Sequence, residues 1–140
     1  LLFPFCSPHL SIKKWPYFND LSKLILNKFN DEFKIVTAPG PLEINEAKNI
    51  NSLALLDNGK ALDISQLTTL IKESSFIIAN DTGPAHIAAH VGAKGLTLFG
   101  QHTTAYKASI ERENFKAIQV NDLKNLSPEK VFERVIENLY

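Results

Sequence analysis

One segment of the sequence joins an apolar strand to polar side chains and a helix start, a combination that could bind phosphate. Phe76-Ile77-Ile78-Ala79 is strongly apolar and is followed by Asn80-Asp81-Thr82-Gly83-Pro84. Proline is favoured in the first turn of a helix, so we expect the chain to turn at Gly83 and then continue as a helix to about Val91. Free backbone N–H groups and the positive helix end would face an anion there, and the Thr82 hydroxyl could add a hydrogen bond.

His86 comes about one turn into this predicted helix. Its ring could donate a hydrogen bond to the same anion and, if protonated, a positive charge. A second interpretation uses the same residues: Asp81 or Thr82 could cap the helix, and His86 could be a half-buried structural histidine. Capping is common at helix starts, so these residues alone leave both interpretations open.

The elements around this turn alternate between strands and helices. Apolar runs predict six strands, at residues 1–5, 33–37, 52–56, 76–79, 95–99 and 115–120. Amphipathic spacing and start signals predict helices over 16–29, 42–49, from 63, over 83–91 and from 127, the last with Val131, Val135, Ile136 and Leu139 on one face. The polar stretch Gln101 to Glu113 has no clear period and predicts a functional loop over the sheet edge.

Strands that are apolar throughout and separated by helices are typical of a parallel sheet covered on both faces. We therefore predict a doubly wound α/β fold. In such folds ligands bind outside the carboxyl ends of the strands, where the chain order reverses. The loops that follow strands are accordingly the places to look for chemistry.

The overall composition excludes several classes of function. Fifteen basic residues balance fifteen acidic ones, so net charge predicts no attraction to nucleic acid. The single cysteine, Cys6, cannot form an internal disulfide, which fits a cytoplasmic protein. No apolar run has the length of a membrane span, and His9, His90 and His102 show no metal-ligand pattern. Since the chain has no Met and opens on an apolar run, we expect it to be a piece of a longer protein.

Three motifs resemble one known family. The run from Asp81 to Ala89, followed by Gly92 and by Leu98-Phe99-Gly100, closely resembles the signature of the heptosyltransferase family (glycosyltransferase family 9), which includes ADP-heptose:lipopolysaccharide heptosyltransferases. Lys13-Lys14-Trp15-Pro16 is similar to the family's Lys-x-Trp-Pro before its first helix. Gly40-Pro41-Leu42-Glu43 is similar to its glycine-to-glutamate turn after the second strand. The likeness covers nearly the whole chain in order.

The resemblance implies a Rossmann-like sheet that forms one half of a GT-B fold. Residues 1–140 would be the C-terminal nucleotide-sugar-binding domain, and the N-terminal acceptor domain would be absent. By the matched motifs, donor-binding roles fall on Ser7, Lys13, Glu43, Leu62, Asp81, Thr82, Gly83 and His86. Lys13 and Ser7 would lie near the phosphates, Glu43 at the ribose hydroxyls and Leu62 against the base. Asp81, Thr82, Gly83 and His86 would contact the diphosphate and the sugar.

The resemblance also implies a reaction. The family is inverting. By the resemblance, a heptose-like sugar would pass from a nucleoside diphosphate donor, with ADP as the nucleotide taken over from the family, to lipopolysaccharide or a related glycan acceptor. Lys13 and His86 would stabilise the leaving diphosphate, with no metal and no other cofactor. The general base would be an acidic residue of the absent domain, so this chain alone would transfer little or nothing. The enzyme would be cytoplasmic, at the inner face of the cytoplasmic membrane of a Gram-negative bacterium, with at most peripheral membrane contact.

One departure and two alternatives stand beside this hypothesis. Family members usually follow Phe-Gly with Pro-Thr, whereas this chain has Phe99-Gly100-Gln101-His102, which leaves the identity of the transferred sugar open. The chain could instead be a stand-alone nucleotide-sugar-binding module without catalytic activity. It could also be the donor domain of a GT-B sugar-nucleotide epimerase.

Overall fold

A computed structural model describes all 140 residues, Leu1–Tyr140. The strands are β1 (Leu2–Phe3), β2 (Val36–Thr37), β3 (Leu53–Ala54), β4 (Ile77–Asn80), β5 (Gly95–Phe99) and β6 (Phe115–Gln119). The α-helices are α1 (Phe18–Phe29), α2 (Ile44–Ala47), α3 (Ile64–Glu73), α4 (Gly83–His90), α5 (Ala105–Ala108) and α6 (Pro128–Leu139). Short 3-10 helices cover Pro8–Lys13, Asn30–Glu32 and Leu123–Asn125.

All six strands belong to one parallel sheet in the order β3-β2-β1-β4-β5-β6. This order is that of a Rossmann-like doubly wound sheet, and the predicted fold class is confirmed. Each predicted strand forms, although β1 to β3 are only two residues long. In β1 the shortening follows from Pro4, which has no N–H to donate to a ladder.

The sheet is covered on both faces because successive side chains along a strand point to opposite sides. Leu2, Ile78, Leu96 and Leu98 lie in one core cluster with buried side chains of α1 and α6. Phe3, Ile77 and Ala79 lie in a second cluster with those of α3 and α4. Each strand end at the sheet edge is therefore held between two packed helical layers.

Two details of the helices differ from the sequence prediction. In α6, Val131, Val135 and Leu139 are buried four residues apart, but Ile136 is 38% exposed. One residue of helix rotates the side chain by about 100°, which moves Ile136 off the line of the other three. The segment Gln101 to Glu113 contains the single-turn helix α5, capped by the Thr104 hydroxyl, which accepts from the Lys107 N–H. One turn is too short to show a period in the sequence.

The longest helices, α1 and α6, have 12 residues each. None of the helices combines the length and the apolar character needed to cross a bilayer.

Candidate functional site

The sheet has its topological switch point between β1 and β4, the two central strands. The connections that follow these strands run in opposite directions and leave an opening at the carboxyl edge of the sheet. The chain after β1 forms the 3-10 helix Pro8–Lys13, and Asp81 directly follows β4. Lys13 Nζ lies 3.5 Å from Asp81 Oδ2. The structure therefore brings together two of the predicted site residues across the switch point.

Asn80, the last residue of β4, fixes the path of the chain that carries Lys13. Its side chain is fully buried; Oδ1 accepts from the Trp15 backbone N–H at 3.1 Å, and Nδ2 donates to the Phe5 carbonyl at 3.4 Å. Trp15 is itself buried and donates its indole N–H to the Leu126 carbonyl at 2.8 Å. Both ends of the segment from Phe5 to Trp15 are thus tied to β4, which sets Lys13 beside Asp81.

The Asp81 carboxylate is the centre of the site. The residue is only 6% exposed, and its oxygens face three side chains from separate parts of the chain. His86 Nε2, on α4, lies 3.3 Å from Oδ1, while His102 Nε2 and Lys13 Nζ lie 3.0 Å and 3.5 Å from Oδ2. A buried carboxylate needs such partners because an unpaired buried charge is very costly. Asp81 therefore acts as an organiser of the groups around it.

The capping interpretation of the turn is wrong. Thr82 is the N-cap residue of α4 but forms no side-chain cap; its hydroxyl lies 3.3 Å from the Asn80 carbonyl, to which it donates. The Asp81 oxygens contact side chains. Without a capping side chain, the amides of the first turn keep their hydrogen-bonding capacity.

The start of α4 presents this capacity at the site. The N–H groups of Ala85 and His86 donate to the Thr82 carbonyl, at 3.1 and 3.3 Å, and these are the first hydrogen bonds of the helix. The N–H groups of Thr82 and Gly83 come before them in the chain and therefore have no acceptor within the helix. The chain bends at Asp81 and Thr82, and Gly83 is the first helical residue; the prediction of a turn at Gly83 is wrong. A Cβ on Gly83 would meet no atom within 4 Å. The space beside this glycine is open.

Glu43 lies after β2, on the neighbouring part of the same edge. It is the N-cap residue of α2, and its Oε1 accepts from the Gly40 N–H at 2.8 Å. Lys14 bonds to Glu46 of α2, and this contact joins the segment that carries Lys13 to the helix that follows Glu43.

Ser7 and Leu62 are not part of the Asp81 cluster. Ser7 is exposed, and its hydroxyl makes no hydrogen bond to the protein. Leu62 is half-buried between β3 and α3, packs against the second core cluster and lines a surface cleft with Leu55, Leu56 and Gln66. The structure places Leu62 on the carboxyl side of β3, within the same edge of the sheet but on a separate cleft.

His102 is the site residue that sequence reasoning missed. It lies three residues beyond β5 in an aperiodic segment, and its side chain is 7% exposed. Its ring stacks on Phe99, with centroids 5.7 Å apart and an interplanar angle of 14°. The one available signal was its place just after an apolar strand, where residues of a parallel sheet gather at the carboxyl edge.

Other features of the surface lie away from this cluster. The side chains form no group of three or more His, Cys, Asp or Glu placed to hold a metal ion. An apolar cleft of about 300 Å³ lies at the amino ends of the strands, lined in part by Leu1, Phe29, Phe33, Phe76 and Leu139. It is on the opposite edge of the sheet from Asp81 and contains none of the predicted site residues.

We expect Asp81→Asn to lower the free energy of unfolding by about 1–3 kcal/mol, because it removes the negative charge that matches Lys13 and orders both histidines. Asp20→Asn is the matched control, since Asp20 pairs only with Lys23 on an exposed helix face. We expect the control to change stability by less than about 0.5 kcal/mol in urea unfolding. Equal effects of the two substitutions would contradict the central position of Asp81.

Comparison with known proteins identifies the family. The model of glycosyltransferase family 9 (heptosyltransferase) matches residues 5–136. Lipopolysaccharide heptosyltransferase 1 of Campylobacter coli is 30% identical over 115 residues, which cover 76% of this chain and 33% of that protein. The match to the family model includes the segments that carry Lys13, Glu43, Asp81 and His86.

Solved structures share the fold. E. coli heptosyltransferase WaaC with ADP superposes with a TM-score of 0.83 at 19% identity, over 98% of this chain and 43% of that one. WaaC with ADP-2-deoxy-2-fluoro heptose gives 0.79 at 18% identity, over 98% and 42%. The family 9 glycosyltransferase of Veillonella parvula gives 0.77 at 15% identity, over 99% and 44%.

The chain thus matches only 33% to 44% of the length of these relatives. Its sheet order and its likeness to the heptosyltransferase structures make it a Rossmann-like half of a GT-B fold. The predicted family is confirmed: this chain belongs to glycosyltransferase family 9, the heptosyltransferases.

Proposed function

We propose that this chain is the C-terminal, donor-binding domain of an inverting glycosyltransferase that transfers a heptose-like sugar from an ADP-linked donor to lipopolysaccharide or a related glycan. The observation that carries the proposal is the Asp81 cluster, which holds Lys13 and His86 at the switch point beside the free first turn of α4. Family membership supports the glycosyl transfer. The names of the relatives support the sugar, the nucleotide and the acceptor.

The diphosphate has a set of suitable donors at this cluster. Lys13 supplies an ammonium group with a side chain that is 25% exposed, and the amides of Thr82 and Gly83 supply N–H groups at the positive end of α4. His86 adds a ring that is 39% exposed and whose Nε2 donates to Asp81. In the imidazolium form of this ring, the Nδ1 N–H is the donor that remains for the diphosphate. A phosphate bound here would therefore contact both the positive charge of Lys13 and the positive end of the α4 helix dipole.

Asp81 itself takes a different role within the proposal. Its two oxygens already face His86, His102 and Lys13, and a carboxylate in direct contact with a phosphate would repel it. We assign to Asp81 the orientation of Lys13 and His86 toward the diphosphate. A donor-sugar hydroxyl, which can donate a hydrogen bond, is the part of the ligand that this carboxylate suits.

The nucleoside would lie along the edge toward β2 and β3. Glu43 uses Oε1 to hold the Gly40 N–H, which leaves Oε2 for a ribose hydroxyl. Leu62 offers an apolar surface for the base at the mouth of the Leu55–Leu56 cleft. Ser7, with an exposed and unbonded hydroxyl, lies on the segment between β1 and Lys13, from which it could reach a phosphate oxygen.

The reaction follows from the inverting class. An acceptor hydroxyl attacks the anomeric carbon of the sugar while the bond from that carbon to the diphosphate oxygen breaks on the opposite face. Lys13, His86 and the amides of α4 stabilise the negative charge that grows on the diphosphate, which is a transition-state role. The general base is an acidic residue of the N-terminal acceptor domain, and the chemistry needs neither a metal nor another cofactor.

The remaining expectations belong to the same proposal. The acceptor, a glycan or the lipid A-core, would be held by the N-terminal domain, in a cytoplasmic enzyme with at most peripheral contact to the inner membrane face. The 140-residue chain alone would bind donor without transferring sugar. Membership of a glycosyltransferase family argues against the epimerase alternative. A stand-alone binding module would bind the same donor but would stay inactive when supplied with an acceptor domain.

We expect the chain to bind ADP more tightly than UDP or GDP in isothermal titration calorimetry. Lys13→Ala and His86→Ala should each weaken ADP binding about tenfold or more, since each removes a charge-assisted contact with the diphosphate.

The matched controls for this titration are Lys28→Ala and His90→Ala. Lys28 is exposed in the last turn of α1, and His90 is exposed at the end of α4. Both should leave ADP affinity within about twofold of the unaltered chain. If no nucleotide binds, or if the site variants behave as the controls do, the diphosphate assignment is wrong.

Gly83→Ala should reduce ADP affinity without reducing stability. No protein atom lies within 4 Å of a Cβ added at this position, so the substitution should not disturb the fold. A loss of ADP affinity would then show that the bound ligand comes close to the Gly83 backbone. Gly95→Ala is the contrasting variant, because its Cβ would lie 2.4 Å from the Ile77 carbonyl oxygen and must disturb the sheet. Urea unfolding and titration of both variants provide the measurement; unchanged ADP affinity in Gly83→Ala would place the phosphate elsewhere.

A further inference from the structure

His102 is the partner of Asp81 for which neither the family motifs nor the proposed reaction gives a role. It lies on the segment after β5 that departs from the family pattern. Its Nε2 is 3.0 Å from Asp81 Oδ2, the shortest of the three contacts to this carboxylate. The ring is held in place by its stack on Phe99.

The surroundings of the ring define where its proton lies. A carboxylate oxygen only accepts hydrogen bonds, so Nε2 carries a proton and donates it to Asp81. The other ring nitrogen, Nδ1, is buried and has no hydrogen-bond partner. Such an orphan atom costs free energy, and a phenylalanine would stack on Phe99 without that cost. Packing alone therefore does not account for a histidine here.

His102 shares one acceptor atom with Lys13. Asp81 Oδ2 faces His102 Nε2 at 3.0 Å and Lys13 Nζ at 3.5 Å, while Oδ1 faces His86. The lysine is the more accessible of the two, with 25% of its side chain exposed against 7% for the histidine. Because His102 satisfies Oδ2 at closer range, Lys13 stays near the carboxylate while its ammonium donors remain available to an anion.

We propose that His102 is a positioning residue: by donating its Nε2 proton to Asp81, it keeps Lys13 available to the diphosphate of the nucleotide ligand. Without this donor, Asp81 Oδ2 draws Lys13 into a closer ion pair and withdraws it from the ligand. The inference rests on the proposed function, since it takes the anion at Lys13 to be a diphosphate.

Two substitutions separate the hydrogen bond from the packing. His102→Gln supplies an amide N–H near the position of Nε2 and lacks the ring, whereas His102→Phe keeps the stack on Phe99 and lacks the donor. In titrations with ADP, we expect His102→Gln to stay within about threefold of the unaltered chain and His102→Phe to lose about tenfold.

A double-mutant cycle tests the route through Lys13. In a chain that already carries Lys13→Ala, we expect His102→Phe to change ADP affinity by less than about twofold, because the residue it acts through is gone. If His102→Phe instead weakens ADP binding by the same factor in the Lys13→Ala chain as in the unaltered chain, the route through Lys13 is overturned. If the histidine served packing alone, His102→Phe would match or exceed His102→Gln in both ADP affinity and resistance to urea, and that result would also overturn the proposal.

The outcomes separate this inference from the proposed function. If the unaltered chain does not bind ADP, the proposed function fails and this inference with it. If the unaltered chain binds ADP and His102→Phe binds it equally well, this inference alone fails. Should His102→Phe not fold, nitrogen-15 NMR of the imidazole rings in the unaltered chain gives the decision. A proton resident on Nε2 of His102 is expected, and a ring whose only proton is on Nδ1 overturns the proposal.

Discussion

The candidate site depends on one buried negative charge, the Asp81 carboxylate at the end of β4. A carboxylate that is 6% exposed is tolerated only where hydrogen-bond donors and positive charge surround it. The partners come from three places: the 3-10 helix after β1, the first turns of α4 and the segment after β5. The need to match this charge thus holds three otherwise separate segments in one arrangement. Asp81 thus fixes the positions of Lys13 and His86, the two side chains that we propose meet the diphosphate.

The parallel sheet makes this convergence possible. All six strands end at one edge, and the reversal of order between β1 and β4 opens that edge in the middle. Asn80 and Trp15 then fix the chain after β1, and the buried alanines 85, 88 and 89 let α4 pack closely against the sheet. These contacts hold the segment after β1 and helix α4 in place, while the first amides of α4 and the space beside Gly83 stay open.

Much of the fold could be predicted from the sequence because strands β4 and β5 are largely apolar and buried along their whole length, and most helices have amphipathic spacing. The family motifs indicated Lys13 and Asp81 as parts of one site although they lie far apart in the chain. Asn80 and His102 could not be assigned in this way. Their roles come from hydrogen bonds to Trp15, Phe5 and Asp81, which arise only when distant segments meet in the folded sheet. The apolar spacing also predicted that Ile136 lies on the buried face of α6, but its side chain is 38% exposed. Ile136 follows Val135 directly and therefore points about 100° away from it around the helix.

The interpretation of Asp81 changed most between sequence and structure. Family likeness placed it among the ligand contacts, and its position before a predicted helix left open that Asp81 or Thr82 caps that helix. The geometry gives it three side-chain partners and gives the α4 amides no capping side chain. Within the proposed site, Asp81 therefore acts by holding Lys13 and His86 where a diphosphate would meet them.

The most direct measurement is a nitrogen-15 and proton NMR titration of the chain with ADP, followed residue by residue. Binding of the diphosphate at the Asp81 cluster requires that the largest changes occur at the amides of Thr82 and Gly83 and at the segment that carries Lys13, with smaller changes near Glu43. Changes centred instead on the apolar cleft around Phe29 and Phe33, at the opposite edge of the sheet, would contradict it.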